Sequence, residues 1–186
     1  MTEPVVRGSE VVARGAKIVL RRDTVDLGAA GEVVRDVIEH PGAVGIVAMD
    51  DTGRVLLLRQ YRHPVAARLW EIPAGLLDVA GEAAVDAAVR ELAEEGGVRA
   101  EAMHPLLIAH TSPGMTDERV EIFLAVGLST IETPTVAEAE ESDMEIRWVP
   151  LSEAAEWVDR GIITNAMAIM GILAAARLQH GREATP

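Results

Sequence analysis

The segment RELAEEGGV, residues 90 to 98, constrains the fold more than any other part of the 186-residue chain. It places Glu91, Glu94 and Glu95 within five positions and then stops at two consecutive glycines. Helical periodicity in the preceding residues predicts a helix from Glu82 to about Glu95, which the glycine pair ends. Each residue of such a helix advances by ~100°, so the three carboxylates share a sector of ~100°.

The apolar residues of this helix define a second face. Val85, Ala88, Val89 and Leu92 form one stripe, which is predicted to pack on the core while the glutamates face solvent. Like charges at these spacings repel one another, and the negative end of a helix is a poor place for them. A hard divalent cation bound by the carboxylates would offset that repulsion. On spacing alone, the alternative is an ordinary solvated acidic face.

The composition excludes several classes of protein. The chain is 49% hydrophobic but 3% aromatic, so one domain with a core of Val, Leu, Ile and Ala is expected. It has no cysteine, which excludes disulfides and thiolate chemistry and favours a cytoplasmic protein. A net charge of −13 argues against nucleic-acid binding but permits a small anionic substrate bridged by a cation. No signal segment is evident, and the longest apolar run is far below the ~20 residues of a membrane span.

Chain breakers divide the sequence into a small first domain and a larger second domain. Alternating segments in residues 10–38 predict a small antiparallel sheet. The HPG breaker that follows marks a boundary, which gives domains 1–40 and 41–186. Apolar segments at residues 43–50 and 54–62 flank the turn sequence DDTG, and this pattern predicts a β-hairpin.

The rest of the chain mixes strand and helix patterns without regular alternation. Residues 70–82 are predicted as a loop, and residues 105–110 and 119–128 as strands. Ser152 is predicted to cap one helix, and a last helix is expected from about residue 165 to about residue 180. A layered α/β or α+β domain follows from this mixture.

The residues around the glutamate helix resemble the Nudix box, the signature of hydrolases that cleave nucleoside diphosphates linked to another moiety. The positions that fit this pattern in register are Glu82, Arg90, Glu91, Leu92, Glu94, Glu95, Gly97 and Val98. One departure precedes the helix. The leading glycine of the pattern should lie six residues before Glu82, where this chain has Leu76, and Gly75 lies seven residues before.

The resemblance implies a metal site on this helix. Glu91 and Glu95 are expected as the first ligands of Mg²⁺, or alternatively Mn²⁺, with Glu94 close by. The backbone carbonyl of Ala74 is expected as a further ligand, and the longer loop affects how that carbonyl is presented. Arg90 is expected to hold a glutamate in place by a charge-assisted hydrogen bond; the alternative for Arg90 is an ordinary surface ion pair.

A proline sixteen residues past Gly97, Pro113, resembles the mark of the ADP-ribose pyrophosphatase subgroup. Taken alone, it also fits a plain turn between strands. The resemblance to this subgroup covers nearly the whole chain, and it implies that Arg62 contacts the substrate, because a guanidinium pairs with phosphate oxygens. Tyr61 is expected to stack on a base or ribose. The alternatives are a strand-end surface charge for Arg62 and half-buried packing for Tyr61.

The acidic segment of residues 129–143 is expected to supply the catalytic base. In similar enzymes a glutamate of this late loop takes the proton of the attacking water. Glu141 is the first choice and Glu140 the second. The alternative is an acidic loop without chemistry.

The resemblance therefore implies an α/β fold, the Nudix α/β/α sandwich with a mixed sheet between helices. A small N-terminal antiparallel β domain is expected to precede it and to mediate a homodimer. The implied reaction is the Mg²⁺-dependent hydrolysis of ADP-ribose to AMP and ribose 5-phosphate. Three alternatives stay open: another nucleoside diphosphate sugar as substrate, a non-catalytic sensor that binds ADP-ribose, and a purely structural dimer module.

Overall fold

The computed structural model describes residues 3–131 and 144–183 of the chain. Its strands are β1 (Val5–Arg14), β2 (Val19–Asp26), β3 (Glu32–Glu39), β4 (Ala43–Ala48), β5 (Arg54–Arg62), β6 (Ala67–Glu71), β7 (Ala74–Leu76), β8 (Val98–His110), β9 (Arg119–Thr130) and β10 (Glu145–Pro150). Its helices are α1 (Ala84–Gly96), α2 (Leu151–Asp159) and α3 (Ala166–Glu183). Across the described ranges, no helix combines the length and the apolar character that crossing a membrane requires.

The first of two compact units takes its residues from two separate segments, 1–42 and 110–119. Its strands form an antiparallel sheet in the order β1-β2-β3. This confirms the antiparallel N-terminal sheet predicted from the alternating pattern. β2 and β3 pair without interruption, whereas β1 is irregular at two points, and every residue of β1 is exposed.

The second segment of this unit is held to the end of β3 by backbone hydrogen bonds. The N–H of Ile38 donates to the carbonyl of Met115 at 2.8 Å, and Ile38 and Thr116 form a parallel bridge. The N–H of His40 donates to Oδ1 of Asp117 at 2.8 Å. Residues 110–119 therefore complete the unit although about 70 residues separate them from β3 in the chain.

In the second unit, residues 43–109 and 120–186, the described residues form two sheets. One has the order β10-β5-β6, with both pairs antiparallel. The other has the order β7-β4-β9-β8 and is mixed, because β4 runs parallel to β9 and antiparallel to β7. The predicted hairpin forms only at its turn, where Met49 and Val55 make an isolated antiparallel bridge, because β4 and β5 then enter different sheets. Both strands are apolar on both faces, and such strands are covered from both sides inside a layered domain.

Alternate residues of β4 face two different helices. Val44 and Ile46 pack in one core with Leu92 of α1, and Val47 packs in a second core with Ile172 of α3. Side chains of a strand point alternately to its two faces, so the mixed sheet lies between α1 on one side and α3 on the other. This is the predicted α/β/α sandwich.

Helix α1 lies where it was predicted, but its predicted apolar stripe is partly wrong. Ala88 and Leu92 are buried, whereas Val85 is 38% and Val89 is 46% exposed. Ala87, which was not part of the stripe, is fully buried. Small side chains let α1 approach the sheet closely, so its alanine side faces inward and two of its glutamates turn toward β7.

Two predictions about flanking segments need correction. Residues 70–82, predicted as a loop, are a loop only from residue 77; before it they contain the end of β6 and all of β7, because pairing with β4 outweighs the local Pro and Gly signals. Pro150 rather than Ser152 is the N-cap of α2, and no side chain caps that helix. The start of α3 is capped, since the side-chain oxygen of Asn165 accepts the N–H of Ala168 at 2.9 Å.

Candidate active site

Strand β7 and helix α1 meet at a glycine. A Cβ atom on Gly75 would lie 2.0 Å from Oε1 and 2.3 Å from Cγ of Glu91, so any side chain there would displace the carboxylate. The glycine that makes room for this carboxylate is therefore the one seven residues before Glu82. The seven-residue spacing includes a turn before α1, where Gly81 has a φ of 82° and the N–H of Glu82 donates to the carbonyl of Val79 at 3.2 Å.

Glu95 is fixed by the first residue of β7. The backbone N–H of Ala74 donates to Oε2 of Glu95 at 2.9 Å. Glu91 and Glu95 are four residues apart and lie on the same side of α1, the side that packs against β7. The structure thus brings together Ala74, Glu91 and Glu95, which were predicted as metal ligands. The expectation that the glutamates face solvent is wrong for Glu91, whose side chain is only 14% exposed, whereas that of Glu94 is 39% exposed.

Arg90 binds three carboxylates at once. Its Nε and Nη2 donate to the two oxygens of Glu82 at 3.1 and 3.0 Å, and its Nη1 donates to Glu91 at 2.7 Å and Glu94 at 3.2 Å. Hydrogen bonding to Glu82 is the largest of the effects that raise the pKa of Arg90 above its ordinary value. The same contact lowers the pKa of the Glu82 carboxyl. Arg90 is therefore positioned to orient the helix glutamates, the role implied by the motif.

The donor chemistry of this cluster fits a hard divalent cation. Carboxylate oxygens and a backbone carbonyl are the ligands that Mg²⁺ and Mn²⁺ prefer. Arg90 contacts three carboxylates, and the carboxylate of Glu95 lies against the N–H of Ala74, so several anionic oxygens are gathered where α1 meets β7. Within the described residues, no three His, Asp or Glu side chains are grouped closely enough to form a complete metal site. The donors that this part of the chain brings to β7 are Glu91 and Glu95, next to the backbone of Ala74.

Arg62 ends β5, and its guanidinium is held by Glu71, the last residue of β6. Nε of Arg62 donates to both carboxylate oxygens of Glu71, at 3.0 and 3.2 Å, and Nη2 donates to Oε2 at 2.6 Å. The Glu71 side chain is 2% exposed and that of Arg62 is 42% exposed. Arg62 lies at a strand end as expected, but it is not a loose surface charge, because a buried carboxylate fixes one edge of its guanidinium.

Tyr61 is more exposed than a packing residue would be, with 51% of its surface accessible. Its hydroxyl lies 3.5 Å from Nδ1 of His63, and the two ring centroids are 6.1 Å apart. A cavity of about 500 Å³ is lined by Tyr61, Arg62, His63 and Pro64. An exposed aromatic ring beside a guanidinium suits stacking on a base or ribose. Cavities of similar size beside the 50–53 turn contain none of the predicted site residues.

Pro113 and the predicted catalytic bases do not lie among the described residues of the second unit. Pro113 lies in the first unit, in a turn where the N–H groups of Met115 and Thr116 donate to the carbonyl of Ser112 at 2.9 and 3.0 Å. The turn expected at Pro113 is therefore present. Glu140 and Glu141, the predicted catalytic bases, lie outside the described residues.

The sequence reasoning missed Glu71. A signal was available, because a lone glutamate between Trp70 and Ile72 stands in an apolar context, and buried acids almost always have a cationic partner. The identity of that partner could not be read from the pattern. It depends on the pairing of β5 with β6, which brings Arg62 to the carboxylate.

Comparisons with known proteins identify a matching family and similar sequences and structures. The NUDIX domain family matches residues 39–166, which is more than half of the chain. An ADP-ribose pyrophosphatase of Mycobacterium tuberculosis is 50% identical over 166 residues, covering 89% of this chain and 80% of that protein. An ADP-ribose pyrophosphatase of Bacillus subtilis is 34% identical over 163 residues, covering 88% and 87% of the two proteins.

Among solved structures, the crystal structure of an ADP compounds hydrolase matches with a TM-score of 0.83 at 21% identity, covering 98% of this chain and 97% of that chain. At this identity the match speaks for the fold. The family match spans β4 to the start of α3 and includes α1 with all its glutamates. The chain belongs to the Nudix hydrolase family.

Proposed function

We propose that this protein hydrolyses the pyrophosphate of ADP-ribose to AMP and ribose 5-phosphate, with Mg²⁺ as its cofactor and Mn²⁺ as the alternative. The observation that carries the chemistry is the placement of Glu91 and Glu95 against β7, with Arg90 bound to the surrounding carboxylates. The substrate is proposed from the two relatives called ADP-ribose pyrophosphatase, one of which is 50% identical over most of this chain.

The cluster on α1 would hold the cation. Glu91 and Glu95 are its first ligands, the backbone carbonyl of Ala74 is a further ligand, and Glu94 lies close by. When bound, the divalent cation supplies neutralisation of the pyrophosphate charge and a lower pKa for the attacking water. Arg90 keeps the glutamates in place through the hydrogen bonds that it makes with them.

The substrate would be bound by residues at the end of β5, where Arg62 pairs with phosphate oxygens and Tyr61 stacks on the base or ribose. Pro113, in a turn of the first unit, is the residue whose position marks this substrate class by resemblance. Glu141, or else Glu140, takes the proton of the attacking water. The high exposure of Tyr61 and the cavity that it shares with Arg62 support this assignment.

The proposal is tested by incubating the pure protein with ADP-ribose and other nucleoside diphosphate compounds, with Mg²⁺ or with chelator, and identifying the products. AMP from ADP-ribose, formed far faster than the other products and abolished by chelator, is the expected result. Faster cleavage of another nucleoside diphosphate sugar would keep the glutamate site and discard ADP-ribose. Binding of ADP-ribose without cleavage would indicate a sensor.

We also propose that residues 1–40 form a domain that mediates a homodimer. The valines of β1 support this, because Val5, Val6, Val11 and Val12 are each about half exposed on a single strand. Exposed apolar strands are usually covered by a partner. Light scattering of the wild type and of Val11→Lys tests the proposal. A dimer in the wild type that is weakened in the variant is expected, and a monomeric wild type would contradict it.

A further inference from the structure

We infer that Glu71 is a positioning residue: it holds the guanidinium of Arg62 in the orientation in which that group meets the phosphates of the substrate. The inference deepens the proposed function and rests on it, since it assumes that Arg62 binds substrate. It assigns a role to a buried carboxylate that the metal and base chemistry of the site does not use.

The contact between Glu71 and Arg62 has the geometry of an anchor. Three hydrogen bonds of 2.6 to 3.2 Å join the Nε–Nη2 edge of the guanidinium to both carboxylate oxygens. Nε2 of Gln60 lies 3.4 Å from Oε2 of the same carboxylate and limits its rotation. Two-point contact of this kind fixes the plane of the guanidinium as well as its position, which a single hydrogen bond would not do.

Strand register explains why Arg62 needs such an anchor. Glu71 pairs with Leu58 across the β5–β6 ladder, whereas Arg62 pairs with Ala67. Residues 58 and 62 of one strand share a face, so the Arg62 side chain folds back along that face to reach the carboxylate. A free arginine loses much of its rotamer entropy when it binds a ligand. An arginine that is already held has less to lose.

Because Glu71 is buried, its carboxylate keeps a fixed position in this contact. Glu71 is 2% exposed and Arg62 is 42% exposed, so the anion lies inside the unit and the cation covers it toward solvent. A buried carboxylate without a counter-charge is strongly disfavoured, which holds Arg62 at this place also in the absence of substrate. The backbone links this anchor to the metal cluster, since Ala74 follows Glu71 by three residues.

The test is the variant Glu71→Gln, which keeps the shape of the side chain but replaces one acceptor oxygen by an NH₂ group that faces the guanidinium donors. We expect KM for ADP-ribose to rise about ten-fold while kcat changes less than about three-fold, as for loss of an interaction made equally in the ground state and the transition state. The variant should act through Arg62. Added to Arg62→Ala, Glu71→Gln should therefore cause no further rise in KM.

Asp50→Asn is the matched control. It removes a different carboxylate–arginine pair of the same unit, Asp50 with Arg54, and should leave KM unchanged. An unchanged KM in Glu71→Gln, or the same rise in KM with and without Arg62, would overturn the inference.

A second readout separates this inference from the proposed substrate. Proton exchange at Nε–H of Arg62, followed by NMR, should be slow in the wild type and fast in Glu71→Gln. If the wild type does not cleave ADP-ribose, the proposed function fails, and binding of inorganic pyrophosphate by calorimetry takes the place of KM. Equal pyrophosphate affinity in wild type and Glu71→Gln, together with equal Nε–H exchange, would then refute the anchor itself.

Discussion

Two arginines of the second unit meet glutamates in opposite ways. Arg90 contacts three carboxylates, those of Glu82, Glu91 and Glu94. The guanidinium of Arg62 makes a two-point contact with the single carboxylate of Glu71, which is buried beneath it. The first arrangement gathers carboxylate oxygens, the donors that a divalent cation prefers, whereas the second fixes the orientation of one guanidinium. The same residue types therefore build a candidate metal site in one place and an anchor in another, according to the number of carboxylates and their burial.

The largest effect is expected from the charge-rich cluster. Glu95→Gln should lower turnover of ADP-ribose by at least ~100-fold, because it removes a charged metal ligand. The fold should survive, since the remaining amide oxygen can still accept the N–H of Ala74. Steady-state rates and thermal melting check both parts. Asp86→Asn, an exposed acid of the same helix, is the control, and a wild-type rate in Glu95→Gln would show that the metal site is elsewhere.

A smaller loss is expected from crowding the same cluster without changing its charge. Gly75→Ala places a methyl group where the Glu91 carboxylate now lies, so that side chain must move. Turnover should fall by about 10- to 100-fold, while far-UV circular dichroism stays that of the wild type, because the atoms displaced are the end of a flexible side chain. Gly81→Ala, in the turn before α1, should instead act on stability through its positive φ. Full activity in Gly75→Ala would contradict the close packing of β7 against α1.

Removal of Arg90 should separate the two arrangements most clearly, because only the cluster on α1 should respond to a divalent cation. Arg90→Gln leaves Glu82, Glu91 and Glu94 repelling one another, so the melting temperature should fall in chelator and recover in part when Mg²⁺ is added. Turnover should drop by about ten-fold or more, since the glutamates lose their orientation. Glu71→Gln should show no such recovery with Mg²⁺. Equal responses of both variants to the metal would remove the distinction between the two arrangements.

The smallest effect on catalysis is expected at Asp50, whose carboxylate bonds to Thr52 and Arg54 and to none of the candidate site residues. Burial alone would raise the pKa of Asp50, but hydrogen bonds from Arg54 and Thr52 lower it to about 2. A lowered pKa stabilises the folded state at pH values above the ordinary value of 3.8, and this contribution is lost as the pH falls from there toward 2. Asp50→Asn should lose on the order of 2 kcal/mol of stability at pH 7 with unchanged turnover. Urea unfolding across pH checks it; a difference from wild type that stays constant down to pH 2 would contradict the pKa.

Much of the fold could be predicted because its signals are local. The register of α1 follows from the spacing of Glu82, Arg90, Glu91 and Glu95, and the strands follow from apolar runs bounded by turns. The predictions that were wrong depend on which neighbouring strand or helix an element packs against, and the local sequence does not specify that neighbour. Val85 and Val89 read as core, but the sheet accepts the smaller alanine side of the helix. The apolar runs on either side of the DDTG turn read as a hairpin, but each strand finds other neighbours.

The candidate site likewise contains residues that the sequence predicted and residues whose role depends on neighbouring strands. The glutamates of α1 were found because a long motif fixes them, and Gly75 was found as a departure whose use became clear only when Glu91 lay against it. Glu71 was missed because its role depends on a residue nine positions away on the neighbouring strand. The proposed base, Glu141 or else Glu140, rests on the family resemblance alone, since both residues lie outside the described part of the chain.

The return of residues 110–119 to the first unit has a consequence for biosynthesis. Residues 1–42 leave the ribosome early, but the residues that hydrogen-bond to Ile38 and His40 are synthesised only after all of α1 and β8. The first unit therefore cannot reach its final form until residue 119 has emerged, and contacts between such distant parts of a chain form slowly. Until then the exposed valines of β1 can contact other chains. Incorrect strand pairing between chains is therefore most probable during synthesis.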